Sequence, residues 1–275
     1  MLTSYMLSIV MMSPLTTMDS YLERAIARGV PLYNNGQPAA CAAVYATALE
    51  AVAETEGWPV EATRRRNLKF QLELAEAVAD PDEQAWAYRR IIDALLADAP
   101  LAAPPEATVR ELYTFADANE VEAFRVVLDG VMGGLSTGQL SRGDNSLIFT
   151  GDTSLQNNGG FSSIRAPLAA GSLAGFDALR IRIKGDGRRW ILGARSSAGN
   201  RGDSYWARFE TTADEWQTVT VPIGEMTRTF FGQPRPGRLR PAGVRGLEFY
   251  IYDKKAGPFR LEVDRIEAVR LPESV

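Results

Sequence analysis

The sequence predicts an α+β protein with two domains, a small N-terminal helical bundle followed by a β-sandwich of the jelly-roll type. Two observations indicate this fold class. Apolar residues recur with a helical period before residue 101 and with a period of two after residue 108. Between the two regions lies Leu101-Ala102-Ala103-Pro104-Pro105, an alanine- and proline-rich stretch that ends helices and suits an exposed linker.

The charge balance changes at the same point. Residues 1–108 hold 8 basic and 14 acidic side chains, whereas residues 109–275 hold 22 and 20. We therefore predict a disordered or weakly ordered tail over residues 1–18, a helical domain over 19–99, a linker over 100–109 and a sandwich domain over 110–272. The tail has an apolar run over residues 5–12 without a preceding basic residue, so we expect neither a secretory signal nor a membrane span.

Four helices are predicted before the linker. Ser20 and Glu23 have the spacing of a capping box, which predicts a short first helix ending at Gly29. A turn-rich segment follows over residues 31–36, and Pro38 then opens the second helix. Asp80 is the expected cap of the fourth helix. The predicted buried faces comprise Cys41, Val44, Tyr45, Ala48 and Val52 on the second helix, Leu68, Leu72, Ala75 and Val78 on the third, and Ala85, Tyr88, Ile92 and Leu95 on the fourth.

Strands replace helices after the linker. Leu179, Ile181 and Ile183 alternate with three basic residues, and the same alternation recurs over residues 205–210, 216–221, 247–252 and 259–264. Roughly eight to ten such strands, with no intervening helix, must bury one face each by packing sheet against sheet. The segment 253–258 is interpreted as a hairpin loop between the last two strands.

The residue types limit the chemistry of this protein. The chain has no histidine and a single cysteine, Cys41, so histidine-based triads, zinc clusters and internal disulfides are excluded. We expect no enzymatic activity, no metal, no cofactor, and a reducing, cytoplasmic location. Glycoside hydrolysis, which needs two suitably separated carboxylates, stays open as a lesser alternative.

Four motifs follow one another along the second domain. A strand over residues 124–128 runs into the glycine-rich loop Asp129–Ser136, and the segments 149–152, 155–165 and 251–259 come next. In order and spacing these motifs resemble the complex I intermediate-associated protein 30 family over roughly residues 112–272. One departure is Phe230-Phe231-Gly232, where the family tends to have an aromatic residue followed by Arg-Gly.

The resemblance implies a fold and a type of function. The fold is a galactose-binding-like jelly roll, and the module is non-catalytic. A eukaryotic member of the family assists the assembly of respiratory complex I, which implies a protein partner. The leading hypothesis is therefore an assembly or scaffold protein, and the second is a carbohydrate-binding module.

Loops and strand faces supply the candidate partner- or ligand-binding residues. The glycine-rich loop is interpreted as a tight turn rather than a phosphate cradle, because sheet and not a helix flanks it. Asp129 and Asp152 carry oxygen donors of the kind that Ca²⁺ prefers, but no aspartate-rich loop spacing supports a Ca²⁺ site. The segment Asn157-Asn158-Gly159-Gly160 is interpreted as a tight turn, and the alternative is that its amides bind sugar hydroxyls. The candidates are Asp129, Asp152, Asn157, Asn158, Arg165, Trp206, Arg208, Tyr252, Asp253 and Lys254.

A basic and aromatic sheet face is the remaining hypothesis. Outward Arg180, Arg182 and Lys184, together with the arginines and aromatic residues among the candidates, would attract an anionic ligand. Because the net charge of this domain is close to zero, we expect no binding to nucleic acid.

Overall fold

The computed structural model describes residues 17–104, 108–196, 204–230 and 232–271, with the backbone alone at Val131 and Asn158. The chain forms two compact units: one comprises residues up to Leu72 together with Asp80–Ala102, and the other comprises Glu73–Ala79 together with the residues from Ala103 onward. Most of the predicted tail lies outside the described residues. The elements are α1 (Met18–Asn34), α2 (Pro38–Glu54), α3 (Ala62–Glu76), α4 (Pro81–Leu96), β1 (Val109–Tyr113), α5 (Ala118–Glu122), β2 (Arg125–Leu128), β3 (Gln139–Arg142), β4 (Leu147–Thr153), β5 (Ser162–Pro167), β6 (Ala178–Lys184), β7 (Arg189–Ser196), β8 (Ser204–Glu210), β9 (Trp216–Pro222), β10 (Thr227–Phe230), β11 (Gln233–Pro234), β12 (Val244–Ile251) and β13 (Gly257–Val269).

Helix α1 begins earlier and ends later than predicted. Thr17 caps it by accepting the backbone N–H of Ser20 at 3.2 Å, so Ser20 lies in the first turn instead of capping the helix. The helix continues past Gly29 and Pro31 and ends at Asn34. The turn predicted over residues 31–36 is therefore shorter and covers residues 35–37, just before Pro38. The residue at the turn is Gly36, whose φ of 72° suits a residue without a Cβ.

The other helices follow their sequence signals closely. Pro38 opens α2, and the Asp80 carboxylate accepts the Glu83 N–H at 3.0 Å to cap α4. The predicted buried faces are confirmed except at Val44 and Val78, which are half-buried. Arg65 of α3 donates to the carbonyls at the end of α2, at 2.9 Å from Val52 O, and so satisfies groups that the helix leaves unpaired.

The second unit is a sandwich of two antiparallel sheets. Sheet I has the order β3-β4-β13-β6-β9, with β1 also paired to β13, and sheet II has the order β11-β10-β8-β7-β12-β5-β2. The predicted fold class is confirmed, with thirteen strands in the described residues rather than eight to ten. The short helix α5 between β1 and β2 contradicts the expectation that no helix interrupts the strands.

The segment between β12 and β13 is not a hairpin loop. Strand β12 pairs with β5 and β7 in sheet II, whereas β13 pairs with β4 and β6 in sheet I. The chain therefore crosses from one sheet to the other between Ile251 and Gly257. Sequence periodicity reports which face of a strand is buried, but it does not report which neighbour the strand pairs with.

Apolar side chains of both sheets fill the space between them. Phe149 of sheet I lies with its ring centroid 6.1 Å from that of Trp190 of sheet II, and Phe259 lies 4.8 Å from Phe149. All three side chains are buried. Both sheets thus turn their remaining faces outward, and the loops that connect them form the ends of the sandwich.

Candidate partner-binding site

A buried aspartate joins two loops at one end of the sandwich. Asp129 stands just after β2, and its carboxylate accepts hydrogen bonds from the first loop and from the second. In the first loop, Ser136 donates its N–H at 3.1 Å and its hydroxyl at 2.6 Å. In the second loop, Gly160 and Phe161 donate their N–H groups at 2.7 and 3.2 Å. One side chain therefore holds the segments 129–136 and 154–161 together.

The electrostatics of Asp129 favour the ionised form. Burial by itself would raise the pKa of this carboxyl, but the hydrogen bonds from Ser136, Gly160 and Phe161 outweigh it and lower the pKa. A carboxylate that accepts four such bonds is satisfied by protein groups alone. Asp129 thus acts on the loops that it holds, and its side chain has no exposed surface for a partner.

Close approach to Asp129 explains two glycines of the motifs, Gly134 and Gly159. A Cβ at Gly134 would stand 2.3 Å from Asp129 Cγ, and a Cβ at Gly159 would stand 2.7 Å from Asp129 Oδ2. Gly133 and Gly160 adopt φ values of 87° and 123°, which disfavour other residues. The glycine-rich segments are therefore tight turns that wrap the carboxylate, as predicted for both from their sequences.

The same two loops expose large apolar side chains. Met132 and Leu135 in the first loop are 54% and 55% exposed, and Leu155 in the second loop is 46% exposed. The loops are joined again by Ser136, whose hydroxyl accepts the Ser154 N–H at 3.0 Å, and by Asn157, which donates to Gly133 O at 3.2 Å. We call Met132, Leu135 and Leu155 the apolar loop patch. Because the two loops are hydrogen-bonded to each other, we treat these three exposed side chains as one candidate interaction surface.

The crossover between the sheets is held by an arginine. Arg188 binds Asp253 through two nitrogens, at 3.0 Å from Oδ2 and 2.7 Å from Oδ1. The same guanidinium donates to the carbonyl oxygens of Lys255, Gly257 and Pro258 at 2.6–3.1 Å. Burial would raise the pKa of Asp253, but the hydrogen bonds and charge of Arg188 lower it. Asp253 is therefore engaged inside the protein.

A polar network lies on the outward face of sheet II. Glu248 of β12 is buried there and accepts hydrogen bonds from the Ser204 hydroxyl and, at 3.2 Å, from the Tyr250 hydroxyl. Arg165 Nε lies 3.3 Å from Glu248 Oε2, and Arg165 Nη2 donates to the Tyr250 hydroxyl at 2.7 Å. The Trp206 indole N–H donates to Ser204 Oγ at 2.7 Å. The network fixes both aromatic rings, which are themselves buried.

The predicted basic and aromatic face is divided between the two sheets. Arg165, Trp206 and Arg208 belong to sheet II, whereas the row Arg180, Arg182 and Lys184 belongs to β6 of sheet I. The two groups thus face opposite sides of the sandwich. Each cation of the β6 row also pairs with an acid of β13, namely Glu267, Asp264 and Glu262 respectively. The single continuous surface expected from the sequence does not exist.

The remaining candidates are spread over the unit. Asp152 is exposed on β4, and Arg208 is exposed on β8. Tyr252 follows β12, and the ammonium group of Lys254 lies 3.9 Å from the centroid of its ring. The side chain of Asn158 lies outside the described residues. Among the candidates, Asp129 and Asn157 belong to the same two connected loops. Arg165 and Trp206 belong to the same polar network on sheet II.

Sequence reasoning missed the apolar loop patch, Arg188 and Glu248. A usable signal existed for the patch, since Met132, Leu135 and Leu155 stand in glycine-rich loops where an apolar side chain has no strand face to bury it. No such signal exists for Glu248, which occupies an outward position of an alternating strand. Its burial follows from Gly193 across the sheet, where a Cβ would stand 2.5 Å from Glu248 Cγ.

The described residues contain no group of three or more acidic, cysteine or histidine side chains that could hold a metal ion. Among the same residues, none of the helices combines the length and the apolar character that crossing a membrane requires. The acids of the network and of the loops are instead bound to hydroxyl, amide and guanidinium groups of the protein.

Fold and site together define the class of this unit as a jelly-roll β-sandwich whose end loops are organised around a buried carboxylate. The model of the family described as Complex I intermediate-associated protein 30 (CIA30) matches residues 113–263, a range that contains all four motifs. The chain therefore belongs to this family. The helical unit precedes the matched range.

Two relatives carry the same family name. The chain is 24% identical to "Complex I intermediate-associated protein 30, mitochondrial" of Mus musculus over 215 residues, which are 67% of this chain and 65% of the mouse protein. It is 32% identical over 94 residues to the protein of that name from Neurospora crassa, covering 33% of this chain and 34% of the relative. The chain thus spans just under two thirds of the mouse protein's length and about a third of the fungal protein's.

The names of these relatives contradict the predicted cytoplasmic location, since both are mitochondrial proteins. The prediction was wrong because it relied on the single cysteine. A lone cysteine indicates that internal disulfides are missing, and it does not distinguish the cytoplasm from another reducing compartment.

Solved structures with a similar fold include carbohydrate-binding domains. A family 11 carbohydrate-binding module from Clostridium thermocellum has a TM-score of 0.47 and 16% identity, covering 62% of this chain and 100% of that chain. The agarase AgWH50C has a TM-score of 0.43 and 10% identity, covering 60% and 25%. With scores below 0.5, nothing about the ligand of this chain follows from these likenesses.

Proposed function

We propose that this chain is a non-enzymatic assembly-factor-like protein whose sandwich binds a protein partner through the apolar loop patch. The observation that carries the proposal is the exposure of Met132, Leu135 and Leu155 on two loops that Asp129 holds together. Burial of these side chains against a partner would remove apolar surface from water, and the fixed loops would lose little conformational freedom.

The family membership supports a partner of a stated kind. The relatives' name associates them with an intermediate of complex I. We therefore expect the partner to be a complex I subunit or a partly assembled subcomplex with a matching apolar surface, and we expect the relatives' compartment, the mitochondrion, to be its location.

A non-enzymatic role agrees with the state of the polar groups. Asp129, Asp253 and Glu248 each bind donors of the protein itself, so none of these three acids is available as a general base in an open cleft. The chain also has no histidine.

The carbohydrate hypothesis has less support from the geometry. Sugar binding of the usual kind needs aromatic faces that a pyranose ring can stack on. Trp206 and Tyr250 are buried, and the Lys254 ammonium lies over the ring of Tyr252. A glycan array probed with the full chain tests this alternative directly, and a reproducible hit that survives mutation of the loop patch would replace the protein-partner proposal.

Affinity purification with mass spectrometry from the source organism tests the main proposal. The bait is the full chain, either unaltered or carrying Met132→Ser, Leu135→Ser and Leu155→Ser together. The matched control is Trp216→Ser, an exposed apolar residue of similar accessibility on sheet I. Circular dichroism and thermal unfolding must first show that all three baits are folded.

We expect complex I subunits to co-purify with the unaltered chain and with the control. Their recovery with the triple variant should fall by about tenfold or more, since central apolar contacts dominate binding energy. Equal recovery with the triple variant would show that another surface carries the interaction. Absence of complex I subunits from every bait would contradict the assembly role itself.

A further inference from the structure

Three helices of the first unit line a solvent-open cavity that the family match does not cover. Helices α1, α2 and α4 line a space of about 160 Å³. Tyr33 of α1, Cys41 and Tyr45 of α2, and Ala85, Trp86 and Arg89 of α4 form its walls. A space of this volume is large enough to hold a small organic molecule.

Gly29 allows the cavity to have this shape. A Cβ at Gly29 would stand 2.3 Å from Tyr45 Cε1, so the ring of Tyr45 lies directly on the backbone of α1. The cavity is open to solvent, and Trp86, one of the residues that line it, is 51% exposed. A small molecule can therefore enter without unfolding the helices.

One wall of the cavity is aromatic. The rings of Tyr33 and Trp86 meet edge to face with their centroids 5.8 Å apart. The Trp86 indole N–H donates to the Tyr33 hydroxyl at 3.0 Å, so the polar tips of the two side chains bind each other. The two residues consequently offer their carbon surfaces to an occupant, which favours a ring or a short hydrocarbon chain.

Other lining residues are polar, among them Arg89, whose guanidinium forms an ion pair with Asp93. The Tyr45 hydroxyl, the Cys41 thiol and the Arg89 guanidinium all line this space. Burial raises the pKa of Cys41 and the pKa of Tyr45, which keeps both groups neutral. Asp93 accepts the Nε–H of Arg89 at 2.8 Å, so the terminal nitrogens of the guanidinium are the donors that an occupant would meet. A carboxylate is the acceptor that suits this donor geometry.

Size restricts the ligand further. An engineered cavity of about 150 Å³ in another protein holds one benzene molecule. A nucleotide or an oligosaccharide is several times larger than such a space. We propose that this cavity is a binding site for a small aromatic carboxylic acid of the size of benzoate, with its ring against Tyr33 and Trp86 and its carboxylate on Arg89 and Tyr45.

The single cysteine supplies the measurement. Cys41 lines the cavity and is the only cysteine of this sequence, so methyl methanethiosulfonate reports on access to this site in the chain of residues 1–275. Saturation-transfer NMR measures binding of benzoate and of toluene, which has the ring but no charge. We expect both molecules to bind and to slow the modification of Cys41. Benzoate should bind more tightly and protect Cys41 at a lower concentration than toluene.

Three variants make the result specific. Arg89→Gln should weaken the binding of benzoate by about 10- to 100-fold, as expected for the loss of a charged hydrogen bond. The same variant should weaken the binding of toluene by less than about twofold. Arg90→Gln, which changes an exposed neighbour on the same helix, should bind both molecules as the unaltered chain does. Ala85→Leu should fill the space and abolish binding of both.

Several results would overturn the proposal. If neither molecule binds the unaltered chain at millimolar concentrations, the cavity has no affinity for this class of ligand. Equal benzoate affinity in the unaltered chain and in Arg89→Gln would exclude the carboxylate contact. Benzoate binding that persists in a folded Ala85→Leu variant would locate the ligand elsewhere.

Discussion

Replacing Asp129 by asparagine tests the idea that one carboxylate builds the partner-binding end of the sandwich. The change keeps the shape of the side chain but removes its charge and exchanges one acceptor oxygen for a donor. Of the four hydrogen bonds at 2.6–3.2 Å, at least one is lost, because an amide N–H₂ then faces an N–H or O–H group.

The expected loss of stability is large. A hydrogen bond to a charged group contributes roughly 1.5–3 kcal/mol, and the retained bonds weaken to about half when the charge disappears. Because such terms are not additive, we expect the sandwich to lose about 3–5 kcal/mol. That is a large part of the roughly 5–15 kcal/mol by which a native domain is stable.

Guanidinium denaturation followed by near-UV circular dichroism measures this loss. Asp152→Asn is the matched control, since Asp152 is an exposed acid of β4 in sheet I and its change should lower the free energy of unfolding by less than about 0.5 kcal/mol. If Asp129→Asn lowers the free energy of unfolding by no more than Asp152→Asn does, the hydrogen bonds of Asp129 do not stabilise the loops and the reasoning is refuted.

Acid titration gives a second test of the same carboxylate. The folded-state pKa of Asp129 is lowered, so its contribution is fully present above the unfolded pKa of about 3.9 and is lost as the pH falls through the folded pKa. The stability difference between the unaltered chain and Asp129→Asn should therefore be constant above about pH 5 and shrink below about pH 4. A difference that grows on acidification would have the wrong sign.

Two further substitutions probe the contacts that hold the sheets. Arg188→Gln should lower the free energy of unfolding by about 3–5 kcal/mol, because it leaves the buried Asp253 carboxylate without its partner. The control Arg189→Gln removes an exposed ion pair with Glu210, 3.8 Å apart, and should change the denaturation midpoint little. Gly193→Ala should lower the free energy of unfolding by about 1–3 kcal/mol, because the added Cβ would lie 2.5 Å from Glu248 Cγ. Gly243→Ala, where the added Cβ has open space around it, should leave the stability nearly unchanged. Equal shifts of the melting temperature for these two variants would contradict the close-packing argument.

Local signals in the sequence determined much of the architecture. Pro38 and Asp80 mark the starts of two helices because capping depends on a few neighbouring residues. The alternation through Leu179, Ile181 and Ile183 gave β6 and its buried face for the same reason. The ordered motifs between residues 113 and 263 were sufficient to indicate the family.

Only the tertiary structure decided which strands pair and what the polar residues do. Asp129 looked like a binding residue, yet distant donors at Ser136 and Gly160 make it an internal clamp. The cavity beside Cys41 likewise depends on Gly29, which lets Tyr45 lie against another helix. Such features arise from contacts between residues far apart in the chain, and the period and composition of a single segment carry no record of them.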